Sequence, residues 1–269
     1  MSKSVITDSL LKDIADAIRA KTGGAETMTP AEMAAEIEAI PAGGGGYTAA
    51  EIADGSYTGS MDTGEATAIK AWAFMGGHMD SISGAEVVTI GEHAFASARV
   101  ISVSFPRCTT CGDYAFYACR NLQTVNLPLL QTVPKYCFDQ DSELKNIALP
   151  AATWLRQQCL SPAVETVDLP AVQTLDSFAF YNLPKLEEIW LPSISVINAS
   201  AFNTLAGLRT LKLGGTPASL PATICYKCTA LADIYVPWSE GAIAGAPWGA
   251  TNATIHYDTT YDANGDPIE

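Results

Sequence analysis

The chain has 269 residues, with 15 Lys and Arg against 29 Asp and Glu, a formal charge of −14. That balance argues against a nucleic-acid binder, which needs a basic face for phosphates, and against docking on an anionic membrane. Apolar residues are 48% and charged ones 16%, which excludes global disorder, and no run reaches the ~20 apolar residues that span a bilayer.

Residues 1–22 carry charges throughout and no long apolar segment, so a secretory leader is not expected there. Leu10, Leu11, Ile14, Ala17 and Ile18 fall on one helical face over residues 7–22, and Gly23-Gly24 is a stop. A second helix starts at Thr29-Pro30-Ala31-Glu32, a capping box with proline at the first helical position. It continues through Met33, Ile37 and Ile40 and stops at Pro41. Residues 1–42 therefore read as a small helical hairpin whose apolar faces need each other or a partner. Gly43 to Gly46 is a linker, and residues 43–65 read as that linker plus a polar N-terminal edge.

From residue 66 to 237 one pattern recurs. A phenylalanine column runs Phe74, Phe95, Phe116, Phe138, Leu160, Phe180, Phe202 and Cys225. Five residues before it lies an aliphatic column of Ile69, Ile90, Cys111, Val133, Leu155, Leu175, Ile197 and Leu220. After it comes a strand whose middle column is Ile82, Val103, Val125, Ile147, Val167, Ile189, Leu211 and Ile234. Pro106, Pro128, Pro150, Pro170, Pro192 and Pro237 end these strands, with Gly214 in the interrupted place. A unit of about 22 residues cannot bury its own apolar side, so about eight such units must stack. The strands alternate at period 2, which predicts a parallel β ladder with rungs ~4.8 Å apart, joined by short turns or 3-10 segments. Residues 238–269 read as a C-terminal cap and acidic tail. Trp238 and Trp248 close the last rung, and Asp258 to Glu269 is expected to be mobile.

The unit Leu-x-x-Ile-x-x-x-Ala-Phe-x-x-Cys/Leu-x-x-Leu-x-x-Val-x-Leu-Pro, clearest over Val133 to Pro150 and Leu175 to Pro192, resembles the BspA-type leucine-rich repeats. The resemblance implies a curved leucine-rich-repeat solenoid that presents a parallel sheet, binds other molecules at bacterial or host surfaces and has no catalytic residues. Leu160 and Cys225 in phenylalanine slots, and two residues missing around Pro162, depart from the pattern. The termini carry a second likeness. Ile14-Ala-Asp-Ala-Ile-Arg-Ala-Lys-Thr-Gly-Gly with Met28-Thr-Pro-Ala-Glu-Met-Ala, and Val236-Pro-Trp-Ser-Glu-Gly with Ala246-Pro-Trp-Gly-Ala-Thr-Asn-Ala-Thr-Ile-His-Tyr, resemble phage and prophage tail-associated proteins of gut Firmicutes. That likeness implies a virion-attached receptor-binding protein. The hairpin would join other tail proteins or further copies of the chain, and the solenoid would meet a cell-surface protein or glycan.

Cys108-x-x-Cys111 and Cys225-x-x-Cys228 have zinc-like spacing, but the pairs lie five rungs or roughly 25 Å apart, which excludes a joint site. All seven cysteines fall in columns held elsewhere by apolar or small residues, so buried thiols are expected. His78, His93 and His256 are scattered, and no Gly-x-Ser-x-Gly or phosphate-binding glycine motif is present. Asp262-x-Asn264-x-Asp266 starts like a calcium loop, but Pro267 stands where glycine is needed, so a solvated turn is expected. Asn198-Ala-Ser200 and Asn252-Ala-Thr254 match glycosylation sequons. No catalytic residue, metal or cofactor is expected.

The chemistry left is that of the ladder's outward side. One row reads Ser102, Thr124, Asn146, Thr166, Glu188, Thr210 and Asp233, and the other Ser104, Asn126, Ala148, Asp168, Trp190, Lys212 and Tyr235. Most are small and polar. Trp190 and Tyr235, two rungs or roughly 10 Å apart with Lys212 between and Asp168 and Glu188 alongside, are the candidate ligand-binding residues. Exposed rings beside hydrogen-bonding groups suit a protein or a sugar. The alternative is that Trp190 packs against a loop, the terminal cap or a neighbouring copy. The sequence thus reads as a non-enzymatic binding protein, either a phage tail adhesin or a bacterial leucine-rich-repeat scaffold joining proteins.

Overall fold

A computed structural model describes residues 59–268. The expected helical hairpin and the glycine linker lie outside them. Ten short strands form the first wall: Ser60–Asp62, Ser81–Ser83, Ser102–Ser104, Thr124–Asn126, Asn146–Ala148, Thr166–Asp168, Glu188–Leu191, Thr210–Leu213, Asp233–Tyr235 and Thr254–His256. They stack in parallel as hydrogen-bonded runs of four, two and four strands. Pairs such as Ile82 with Val103 and Leu211 with Ile234 keep the middle column in register. Their period-2 alternation turns that column inward. The ladder is one rung longer at each end than the repeat pattern predicts. Met61 and Ile255 continue the column, but their coils lack the Ala-Phe pair and the proline that mark the other units.

The aliphatic column before each phenylalanine forms a second wall, a feature absent from the sequence reading. Ala68–Ile69, Thr89–Ile90 and Thr110–Cys111 make one parallel run. Thr132–Val133, Trp154–Leu155, Thr174–Leu175 and Val196–Ile197 make another. Where these strands turn the corner, the coils approach closely. A Cβ on Gly112 would lie 2.3 Å from the Glu92 amide nitrogen, and one on Gly91 would lie 2.2 Å from that of Ala71. Gly112→Ala is expected to cost about 1–3 kcal/mol through this overpacking. An unchanged urea midpoint would refute the close approach.

The third wall carries the phenylalanines. Phe74, Phe95, Phe116 and Phe138 are buried and stack with ring centroids 5.1–5.4 Å apart. Leu160 interrupts them, and Phe180 and Phe202 stack again at 5.4 Å. Two residues before each of the first seven slots, Trp72, His93, Tyr114, Tyr136, Gln158, Phe178 and Ser200 all have φ between 48° and 66°. L-residues resist this left-handed conformation by roughly 1–2 kcal/mol each. It is held because each amide donates to a carbonyl one coil on, as from Trp72 to Glu92 at 3.0 Å and from Tyr114 to Lys135 at 2.9 Å. All seven cysteines are buried with free thiols in the interior columns. Cys108 and Cys111 approach at 3.8 Å between sulfurs.

Candidate binding face

The residues singled out on the outward rows occupy the C-terminal end of the first wall. Trp190 pairs with Lys212, Lys212 with Tyr235, and Tyr235 with His256, while Glu188, Thr210, Asp233 and Thr254 form the parallel row. Glu188, Trp190, Lys212 and Tyr235 are thus brought together on successive rungs. Asp168 is exposed on the strand before, which belongs to a separate hydrogen-bonded run.

This patch is covered. Residues 258–268, expected to be mobile, instead fold into a hairpin with Thr260–Tyr261 antiparallel to Pro267–Ile268. The hairpin lies on Trp190 and Lys212. The Tyr261 ring meets the Trp190 indole at 4.4 Å, and its hydroxyl donates to the Leu213 carbonyl at 3.1 Å. Burial pushes that phenol well above its ordinary pKa. Gly265 is seated on the indole so closely that a Cβ there would lie 2.4 Å from Nε1. On another side of the ring, a Cβ on Gly214 would lie 2.5 Å from Cη2. Lys212 is only 5% exposed, and its Nζ donates to Glu188 Oε1 at 2.7 Å and Asp266 Oδ1 at 3.0 Å. Burial alone would lower the Lys212 pKa, but the two carboxylates outweigh it and hold the pKa raised. So the packing alternative weighed for Trp190 is what the structure contains, with the tail hairpin as the packed element.

The hairpin is built by its own acidic motif. Asp262 Oδ1 accepts the amides of Asn264 at 2.8 Å and Asp266 at 2.9 Å. Those bonds, the Asp266 amide first, lower the Asp262 pKa. Its carboxylate thereby shapes a turn.

Sequence reasoning missed two features, one beside this face and one on the third wall. Asp233 and His256 hydrogen-bond at 2.8 Å, and the His256 ring stacks on Tyr235 at 4.2 Å. Farther toward the N-terminus, Trp72, His93, Tyr114 and Tyr136 stack on the third wall at 4.0, 4.7 and 4.8 Å. Burial lowers the His93 pKa, with Asp113 opposing. The aromatic or histidine residue two places before Phe74, Phe95, Phe116 and Phe138 is a signal the sequence does contain. Stacked rings turn their edges outward and spend their faces on each other, so this column packs the wall.

A solenoid of stacked strand walls, interior columns and outward polar rows has the architecture of a repeat protein. The chain belongs to the BspA-type leucine-rich repeat family. Residues 67–162 and 156–244 match the family described as "BspA type Leucine rich repeat region (6 copies)". Among solved structures, a leucine-rich repeat protein from Bacteroides ovatus is 16% identical with a TM-score of 0.44, covering 71% of this chain and 66% of that one. A leucine rich cell surface protein from Faecalibacterium prausnitzii is 16% identical with a TM-score of 0.42, covering 72% and 64%. The pneumococcal vaccine antigen PcpA is 14% identical with a TM-score of 0.34, covering 68% and 69%. This chain spans less than two thirds of the length of the first two. No curated protein matches it. No helix among the described residues is long and apolar enough to cross a membrane.

Proposed function

We propose that the chain is a non-enzymatic bacterial surface protein that binds other proteins through the outward rows of its strand wall. One observation carries this reading. Two rows of small polar side chains run in register along the wall, giving a preformed surface that loses little entropy on binding. The rows are tied rung to rung: Ser81 Oγ donates to Ser60 Oγ at 2.7 Å, Asn126 Nδ2 to Ser104 Oγ at 2.9 Å, and Thr166 Oγ1 to Asn146 Oδ1 at 2.7 Å. Membership of the BspA-type family supports the setting.

The test is a full-chain variant carrying Ser104→Lys, Thr124→Lys, Asn126→Lys and Asn146→Lys. It is screened beside wild type on immobilised bacterial and host surface proteins. Wild type should bind a partner that the variant loses at least about tenfold, some 1.4 kcal/mol, with the thermal midpoint kept. Equal binding by the two chains, or no partner for either, would overturn the reading.

The terminal likeness to tail-associated proteins supports a narrower version, a phage or prophage adhesin. Tail and baseplate genes flanking this one would carry that version, and a chromosomal locus without them would remove it.

A further inference from the structure

The hairpin over Trp190 has the features of a bound ligand more than of a simple cap. It places a carboxylate on a nearly buried ammonium, a phenol on a backbone carbonyl, and a glycine flat on an indole where no side chain fits. Its sequence neighbours are distant: Asp266 lies 54 residues from Lys212, and Tyr261 lies 48 from Leu213. Within the hairpin, the Asp266 amide donates to Asp262 Oδ1 at 2.9 Å and fixes the turn.

We infer that the Trp190–Lys212 patch is a receptor for an acidic β-turn on a partner protein, bearing an aromatic residue and a Gly-Asp pair, and that the chain's own tail is the occupant such a partner displaces. This deepens the protein-binding reading and rests on it. A peptide turn is favoured over a sugar because the occupant already present satisfies the patch through backbone and side chain together. Lifting the tail would free a donor on Lys212, whose charge Glu188 alone would then balance, and would uncover the ring of Trp190. The tethered tail competes at an effective concentration of about millimolar, so an outside partner binds weakly until the tail is loosened.

The experiment uses the full chain and a synthetic peptide of residues 257–269. Tyr261→Ala with Asp266→Ala removes both tail anchors without touching the patch. Titration calorimetry should show the peptide binding this variant at least about tenfold more tightly than wild type, because wild type is open only part of the time. Peptides carrying the Tyr261→Ala or Asp266→Asn change should bind the variant correspondingly less. Hydrogen exchange of the Gly265 and Asp266 amides should speed up in the variant. Equal peptide affinity for the two chains, no binding to the variant, or binding indifferent to the peptide changes would each overturn the inference. So would light scattering showing that wild type is a dimer and the variant a monomer, since the tail would then bridge copies. None of these outcomes bears on the four-lysine test, which probes the third to fifth rungs of the wall and leaves the Trp190–Lys212 patch unaltered.

Discussion

Asp141→Leu should stabilise the solenoid, and more so as pH rises. Asp141 is fully buried, and neither carboxylate oxygen has a hydrogen-bond partner. Burial raises its pKa well above the ordinary carboxylate value, the Cys119 backbone opposing the rise and nearby Asp139 adding to it. Three residues after Phe138, it takes the interior slot that Cys119, Leu183 and Leu205 fill in other coils, all buried. That column therefore accepts a leucine. The folded state holds the Asp141 proton more tightly than the unfolded state does. Stability from this group is greatest below the unfolded pKa and falls as pH climbs toward the folded one. The slope is at most about 1.4 kcal/mol per pH unit. Urea midpoints of wild type should therefore drop more between pH 5 and pH 8 than those of Asp141→Asn or Asp141→Leu. Asp141→Leu should also exceed wild type by about 1–3 kcal/mol at pH 8, the cost of an unpaired buried polar group. Parallel pH profiles for the three chains would show that the carboxylate ionises freely where it sits.

Phe116→Ala should cause the largest loss, about 3–5 kcal/mol. Its buried ring stacks on Phe95 at 5.1 Å and on Phe138 at 5.4 Å, so truncation opens a cavity and breaks two ring contacts. Phe116→Leu should cost clearly less, because Leu160 occupies the same column in the wild-type chain. A coil touches only its neighbours, so a mid-array gap should also uncouple the two halves. Denaturant unfolding should show a lower midpoint and a shallower slope for the alanine variant than for the leucine one. Equal losses for alanine and leucine would mean the stack is not what holds the third wall.

The interior of the molecule was readable from one-dimensional spacing because each coil repeats the same burial problem. Ile82 and Ile234 mark the first wall, and Phe74 and Phe202 the third, at a period fixed by the length of one coil. The second wall escaped because its strands are two residues long, too short for an alternation to register. The end rungs at Met61 and Ile255 escaped because their coils share only one column with the others. The outward position of Trp190 and Lys212 followed from strand alternation, and so did their being neighbours. Their cover did not follow. A docking contact between Asp266 and Lys212 depends on where the chain returns after many residues, and no local period encodes that. An acidic, glycine-containing segment such as Asp262 to Asp266 looks solvated until the ammonium that receives it is known.

The three walls also decide how the molecule answers tension. Its rungs bond only to the coils above and below, so a pull applied at the two ends of the stack opens them one after another and not all at once. Each coil that lets go releases about 70 Å of slack, from roughly 22 residues at ~3.3 Å each. A domain wound this way yields by paying out thread, and it keeps the coils not yet reached intact while the load is absorbed.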